Sequence, residues 1–268
     1  MMNLIRELKQ SYGLQDQEQD VINWVKGCLG LSLTDICTLP REVVSEVQLQ
    51  RLQEGCDQLG KGVPLAYLLG HGEWNGELWF LTEDVLIPRP ETKVLLDVAL
   101  MLGTSDATVL ELGTGSGILA VSMARAKPRW DITATDASKR ALQVAKENAR
   151  GVSVKWVCHD WDQLWAFECV DQVVANPPYL KGDDPHLDKL MFEPHKALVS
   201  GPTGLECFQR IAEQAATVLK PGGRIVFEHG NRQAHEVGDL LLTLGFSQIK
   251  QYQDDLGWSR VTEGSWGV

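Results

Sequence analysis

Apolar residues recur three to four positions apart through the first seventy residues, the period of helices with one buried face. Leu4, Ile5, Leu8 and Tyr12 make a stripe closed by Gly13, and Val21, Ile22, Val25, Cys28 and Leu29 make a second closed by Gly30. Thr34 opens a short piece that stops before Pro40. Val44, Val47, Leu52, Cys56 and Leu59 mark a longer helix, followed by Gly60 and Gly62, and Pro64 starts one more turn through Ala66, Tyr67 and Leu68. The pattern predicts a small helical bundle over residues 1–70. Over 71–87 the period changes: Trp74, Leu78, Trp79, Phe80, Val85 and Ile87 surround Asn75-Gly76, a hairpin-turn signal. A short β-hairpin is expected to join the bundle to the remainder, 88–268. There Pro88-Arg89-Pro90-Glu91-Thr92 opens an amphipathic run of Val94, Leu95, Val98, Ala99 and Leu102.

From 107 onward strand and helix patterns alternate, the signature of a doubly wound α/β sheet. Strands are expected at Thr108–Leu112, Asp131–Asp136, Val152–Cys158, Asp171–Ala175 and Arg224–Glu228. Ser247–Tyr252 and Trp258–Thr262, joined by Asp254-Asp255-Leu256-Gly257, complete a seven-stranded, mostly parallel sheet with an antiparallel pair at its end. Helices fall between, one of them opened by a Thr203/Glu206 capping box, and a loop rich in Asp, Lys and Pro runs from Leu180 to about Ser200.

Composition narrows the functional classes. The 268 residues are 44% hydrophobic and 23% charged, as in ordinary soluble proteins, and no apolar run approaches a membrane span. The N-terminal stretch Met1-Met2-Asn3-Leu4-Ile5-Arg6-Glu7 has no signal-peptide core, so a cytoplasmic protein is expected. Six scattered cysteines form no Cys-x-x-Cys pair, which points to reduced thiols and to no metal. The net charge of -11 argues against a protein held on nucleic acid by phosphate contacts.

The candidate chemistry lies at strand ends. Gly113, Thr114, Gly115, Ser116 and Gly117 join the first strand to a helix N-terminus, where small residues let a ligand approach the backbone. A dinucleotide fingerprint has glycines at its first, third and sixth positions. Ile118 occupies the sixth here, which disfavours an NAD oxidoreductase. Glu111 adds a carboxylate suited to a cation, Asp136 ends the next strand where a ribose-binding acid stands in nucleotide sites, and Asp160-Trp161 offers an acceptor and an aromatic face. The fourth strand is stopped by Asn176-Pro177-Pro178-Tyr179, since neither proline can donate to a ladder. The Asn176 side-chain oxygen and the Pro177 carbonyl can accept both N–H bonds of an amide or amino nitrogen. That turns its lone pair to an electrophile and stabilises developing positive charge. Tyr179 can pack on the planar acceptor.

These residues in this order resemble the class I S-adenosylmethionine-dependent methyltransferases, and the Asn-Pro-Pro-Tyr motif their amino-methyltransferase branch. An acceptor could be adenine, cytosine or glutamine; chain acidity and a helical extra domain favour a protein. Pro64–Gly70, Leu86–Thr92, Glu111–Gly117, Asn176–Tyr179, Glu193-Pro194 with Ala197-Leu198, and Leu256–Val261 look like the bacterial release factor glutamine methyltransferases. That resemblance implies methylation of the glutamine of the Gly-Gly-Gln motif in class-1 peptide chain release factors, at its amide nitrogen, leaving S-adenosylhomocysteine. It implies a cofactor site of Glu111, Gly113 to Gly117, Asp136, Asp160, Trp161 and Asn176. It implies a catalytic, substrate-holding set of Asn176, Pro177, Pro178 and Tyr179 with Arg89 and Pro90 beside the pocket. The helical bundle of residues 1–70 reads either as a structural cap or as a substrate-docking domain, and the protein is expected to be a monomer that needs no metal, membrane or stable nucleic-acid contact. Alternatives are a ribosomal-protein glutamine methyltransferase, a nucleic-acid amino-methyltransferase and a non-catalytic module that binds the same cofactor. Departures from the family pattern are Glu111 for a more usual Asp, Glu228-His229-Gly230 for Glu-Ile-Gly, and Pro202-Thr203-Gly204-Leu205 for an Asp-Gly-Leu run.

Overall fold

A computed structural model describes residues 1–161 and 169–267, and the chain divides into two compact units, Met1–Gly72 and Glu73–Val268. The first holds α1 (Met2–Ser11), α2 (Glu18–Leu29), α3 (Leu33–Thr38), a 3-10 turn at Arg41–Val43, α4 (Glu46–Gly60) and α5 (Leu65–Leu69). Gly30 ends α2 in the left-handed conformation at φ 68°, as its place in the pattern implies. Helix α3 starts ahead of Thr34 because Ser32 caps it in a reciprocal box with Asp35. Leu4, Ile5, Leu8, Val21, Val25, Leu52, Cys56 and Leu59 fill the core. Val47, expected inward, is 78% exposed: five residues before Leu52, it lies about 140° around the helix from the buried line. Gly55 sits mid-helix because the Trp24 indole, donating to the Leu52 carbonyl at 3.1 Å, would stand 2.1 Å from any Cβ there.

A hairpin of β1 (His71–Trp74) and β2 (Glu77–Phe80) turns at Asn75 and Gly76, both at positive φ (52° and 78°). Asn148 clasps Phe80 from both sides, accepting from its N–H at 2.8 Å and donating to its carbonyl at 3.0 Å. Next come α6 (Thr92–Leu102), β3 (Thr108–Leu112), α7 (Ile118–Ala126), β4 (Asp131–Asp136), α8 (Lys139–Asn148), β5 (Lys155–Cys158) and β6 (Val170–Ala175). The chain continues through β7 (Leu180–Lys181), β8 (Val199–Gly201), α9 (Glu206–Ala215), β9 (Leu219–Glu228), α10 (Ala234–Thr243), β10 (Ser247–Gln253) and β11 (Ser259–Ser265).

The seven-stranded sheet has the order β10-β11-β9-β6-β3-β4-β5. It is parallel except at β11, which runs antiparallel to both β9 and β10. Alternation along each strand feeds two cores. Val109, Val174 and Val226 pack with α6 and α7, while Leu110, Val173 and Ile225 pack with α9 and α10. From β3 the order runs outward through β4 and β5 on one side and through β6 and β9 on the other. The C-terminal ends of β3 and β6 therefore flank a topological switch point, where crevices open in such sheets.

Three details differ from the sequence pattern. Strand β9 begins at Leu219 and carries Pro221-Gly222 inside it, across a register shift against β6. The 180–200 loop contains a small parallel pair, β7 with β8, and two 3-10 turns. The Thr203/Glu206 box is half formed: the Glu206 carboxylate accepts from the Thr203 N–H at 2.8 Å, but the Thr203 hydroxyl accepts from Leu205 rather than from Glu206.

Candidate active site

Glu111 and the glycine-rich turn sit where β3 gives way to α7. Gly113, Gly115 and Gly117 all have positive φ, at 72°, 54° and 80°, so the turn is closed to ordinary side chains on conformational grounds. At Gly117 there is no room either, since a Cβ would meet the Ala145 Cβ at 2.8 Å. The turn is held from the next strand end. Asp136 accepts from the Gly115 N–H at 2.9 Å and from the Ser138 N–H at 2.8 Å, and Thr114 N–H donates to the Thr135 carbonyl at 2.9 Å.

Glu111 is buried, and the Thr114 hydroxyl donates to it at 3.0 Å. Burial pushes its carboxyl up to about 8, opposed by the Thr114 hydrogen bond and reinforced by the charge of Asp136. Burial likewise raises Asp136. Two acids held in low dielectric beside one another are costly unless a cation or several donors complement them.

After β5, Asp160 accepts from the Trp161 N–H at 2.7 Å. Arg210 on α9 stands 3.5 Å from the Asp160 carboxylate and 5.9 Å from the Trp161 ring centre, a cation–π arrangement that braces the indole.

After β6, Asn176 is half-buried, Pro177 and Pro178 are buried, and the Asn176 side-chain nitrogen lies 3.5 Å from the Thr92 hydroxyl. Gln233 secures the motif from behind, donating to the Tyr179 carbonyl at 3.1 Å and the Gly204 carbonyl at 3.2 Å while accepting from the Gly230 N–H at 3.0 Å. A Cβ at Gly204 would stand 2.7 Å from the Tyr179 carbonyl oxygen, which is why glycine occupies that turn. The Tyr179 phenol is pushed up to about 12, mainly by burial and next by the nearby Glu228.

Three other stretches that carried the family resemblance, Leu86–Thr92, Glu193-Pro194 and Leu256–Val261, are joined by ion pairs. Glu193, 7% exposed, pairs with the Arg89 guanidinium at 2.5 Å and accepts from the Ile87 N–H at 3.0 Å. Arg260 joins Asp254 at 2.7 Å to Glu91 at 3.3 Å. His229 donates from Nδ1 to the Gly230 carbonyl (3.0 Å) and accepts at Nε2 from the Thr262 hydroxyl (2.8 Å). It is a satisfied core histidine in the position where the family pattern has an apolar residue.

A cavity of about 870 Å³ joins these strand ends. Of the sequence-selected residues, Glu111, Gly113, Thr114, Gly115, Ser116, Asp136, Asp160, Trp161, Asn176, Pro178 and Arg89 line it. Gly117, Pro177, Tyr179 and Pro90 are not among its lining residues. For Gly117 the reason is its packing against Ala145. Thr92, the last residue of the Leu86–Thr92 stretch, also lines it, as do Lys196, Cys207 and Arg210, which had no signal in the sequence. Glu228, an acid ending an apolar strand, carried the same mark that singled out Glu111, but it is not among the lining residues. Among the described residues, no group of three or more His, Cys, Asp or Glu side chains is gathered as metal ligands would be, and no helix is long and apolar enough to cross a membrane.

Residues 90–255 match the family model of the methyltransferase small domain, and residues 3–70 match that of the PrmC N-terminal domain. A release factor glutamine methyltransferase from Bordetella pertussis is 43% identical over 210 residues, covering 76% of this chain and 78% of that protein. One from Shewanella oneidensis is 34% identical over 245 residues, covering 89% and 86%. A methyltransferase crystal structure from Pyrococcus furiosus superposes with a TM-score of 0.52 at 18% identity over 71% of this chain and 89% of that one, a likeness of fold.

Proposed function

The chain belongs to the release factor glutamine methyltransferase family, and on that premise we propose that it transfers a methyl group from S-adenosylmethionine to the side-chain amide nitrogen of the glutamine in the Gly-Gly-Gln motif of class-1 peptide chain release factors. The observation that carries the reading is the single cavity in which Glu111, Asp136 and Trp161, from three successive strand ends, share walls with Asn176 across the switch point.

The donor set fits the cofactor. Glu111, buried and pushed to about 8, calls for a cationic group. Asp136 keeps lone pairs for hydroxyls beyond the two backbone N–H groups it already accepts. Asp160 and Trp161, braced by Arg210, suit the edge and face of a purine. When bound, S-adenosylmethionine supplies a methyl group activated by a positively charged sulfur.

The chain's own contribution is to place and polarise the acceptor. An amide nitrogen is a poor nucleophile because its lone pair is delocalised. Asn176 Oδ1 and the Pro177 carbonyl accept its two N–H bonds, which fixes the nitrogen in line with the methyl group and stabilises charge as the new bond forms. The nitrogen gains a methyl group and loses one proton, which passes to solvent. The buried prolines hold this backbone rigid, and the Arg89–Glu193 and Arg260–Glu91 pairs hold the walls around it. Residues 1–70 serve as the docking domain for the release factor, 71–87 as the linker and 88–268 as the methyltransferase domain of a cytoplasmic monomer.

Incubation with labelled S-adenosylmethionine should label a release factor on its Gly-Gly-Gln glutamine. Label on a ribosomal protein or DNA, with none on the release factor, would overturn the substrate assignment. Asn176→Ala should lower transfer by about 10²- to 10³-fold with cofactor affinity nearly unchanged.

A further inference from the structure

An amide side chain has two ends, and only its oxygen can accept the N–H of an incoming glutamine. What selects the end that Asn176 presents lies behind it. Ala175 pairs with Phe227 in the parallel register of β6 and β9, so Asn176 and Glu228 follow one residue further along the same two strands. The Glu228 carboxylate is 3% exposed and bears on the Asn176 amide and the Thr92 hydroxyl. The Asn176 nitrogen itself turns to that hydroxyl at 3.5 Å. Glu228 Oε2 finds no hydrogen-bond partner among the described residues. A buried carboxylate with spare acceptor capacity, facing an amide, draws the NH₂ end toward itself.

We propose that Glu228 is a positioning residue for the methyl transfer: with one carboxylate oxygen still unpartnered, it holds the Asn176 NH₂ inward and so turns Asn176 Oδ1 to the substrate nitrogen. This rests on the function proposed above and deepens it. Asn176 supplies the contact, and Glu228 determines which atom of Asn176 makes it.

The groups around Glu228 set when it can do so. Glu91, from the segment before α6, repels its charge, and Arg260, from β11, attracts it while also paired with Asp254 and Glu91. Tyr179, from the exit of β6, carries a phenol kept neutral by burial, and Arg89 acts on that phenol in turn. The neighbouring His229 is engaged with Thr262 and Gly230. Burial outweighs the rest and pushes the Glu228 carboxyl up to about 7. Once protonated it gains an O–H to donate, either end of the Asn176 amide then satisfies it, and the orientation is lost.

The test uses the full chain with a release factor at saturating cofactor. Glu228→Gln, the same shape with a donor added, should lower kcat about a hundredfold while cofactor Kd changes by less than about twofold. Wild-type kcat should fall as pH drops through about 7, and the variant's should be flat there. A readout that needs no turnover is the ¹⁵N side-chain amide resonance of Asn176, which should titrate near pH 7 in the wild type and stay fixed in Glu228→Gln. A kcat within about threefold of wild type, or an Asn176 resonance that does not titrate, overturns the proposal. Should the variant also lose cofactor binding, the wild-type resonance alone decides. A wild-type protein that labels no release factor would instead overturn the function proposed above, and the amide titration would still test the role of Glu228.

Discussion

In the proposed cofactor site, Glu111 should tie cofactor affinity to pH in a way that can be calculated. Its carboxyl is pushed from 4.5 up to about 8 by burial, so at pH 7 the empty site holds about ten protonated carboxyls for each ionised one. A cationic ligand selects the ionised form, and binding then releases the proton. With the observed affinity proportional to the ionised fraction, lowering pH from 8 to 6 weakens binding about fiftyfold, and binding at pH 7 releases about 0.9 proton. Titration calorimetry of S-adenosylmethionine in buffers of differing ionisation enthalpy measures both quantities. Glu111→Gln should bind weakly, with no proton release and no slope over this range. A wild-type affinity constant within about threefold from pH 6 to 8, or no proton release, would refute the argument that burial and a ligand cation compete for this carboxyl. Stability gives a second view. The raised folded-state value means the fold holds the proton more tightly than the unfolded chain. The contribution is therefore complete below about 4.5 and is lost as pH rises from there through about 8. The melting temperature of the ligand-free protein should decline across that window, less so in Glu111→Gln, and saturating cofactor should offset the decline.

Gly117→Ala combines a left-handed alanine, at about 1–2 kcal/mol, with a forced contact against Ala145 at about 1–3 kcal/mol, so the melting temperature should fall by about 5–15 °C and cofactor affinity with it. Gly151→Ala, also at positive φ but with nothing within 4 Å of the added carbon, should show only the smaller first part. Deleting residues 1–70 should weaken release-factor binding, measured by surface plasmon resonance, far more than cofactor binding, because each unit has its own buried core. Equal loss of both would mark the bundle as a structural cap.

The sheet, its antiparallel end and the hairpin turn were legible in the sequence because period and turn chemistry act locally. Val109 and Leu110 differ in which core they enter only by alternation, and Asn75-Gly76 demands positive φ wherever it occurs. Less local features were not. Pro221-Gly222 reads as a break although the neighbouring strand absorbs it as a register shift.

In the site, the residues named from the sequence are those whose own chemistry marks them: a carboxylate, an indole or an amide at the end of an apolar strand. Glu111, Asp136, Trp161 and Asn176 could be chosen that way because a polar group ending a buried strand needs a reason to be there. What the sequence could not decide is how those groups act, since that depends on neighbours distant along the chain. Glu193 meets Arg89 across 104 positions and Arg260 meets Glu91 across 169. Glu228 faces Asn176 only because β9 lies beside β6. Sequence alone thus determined which groups are available to bind a cation, a purine and a planar amide. Only tertiary structure set the burial that shifts their protonation and the neighbours, Thr92 and Glu228, that Asn176 meets, because desolvation and hydrogen-bond direction are properties of the packed surroundings and not of the residue.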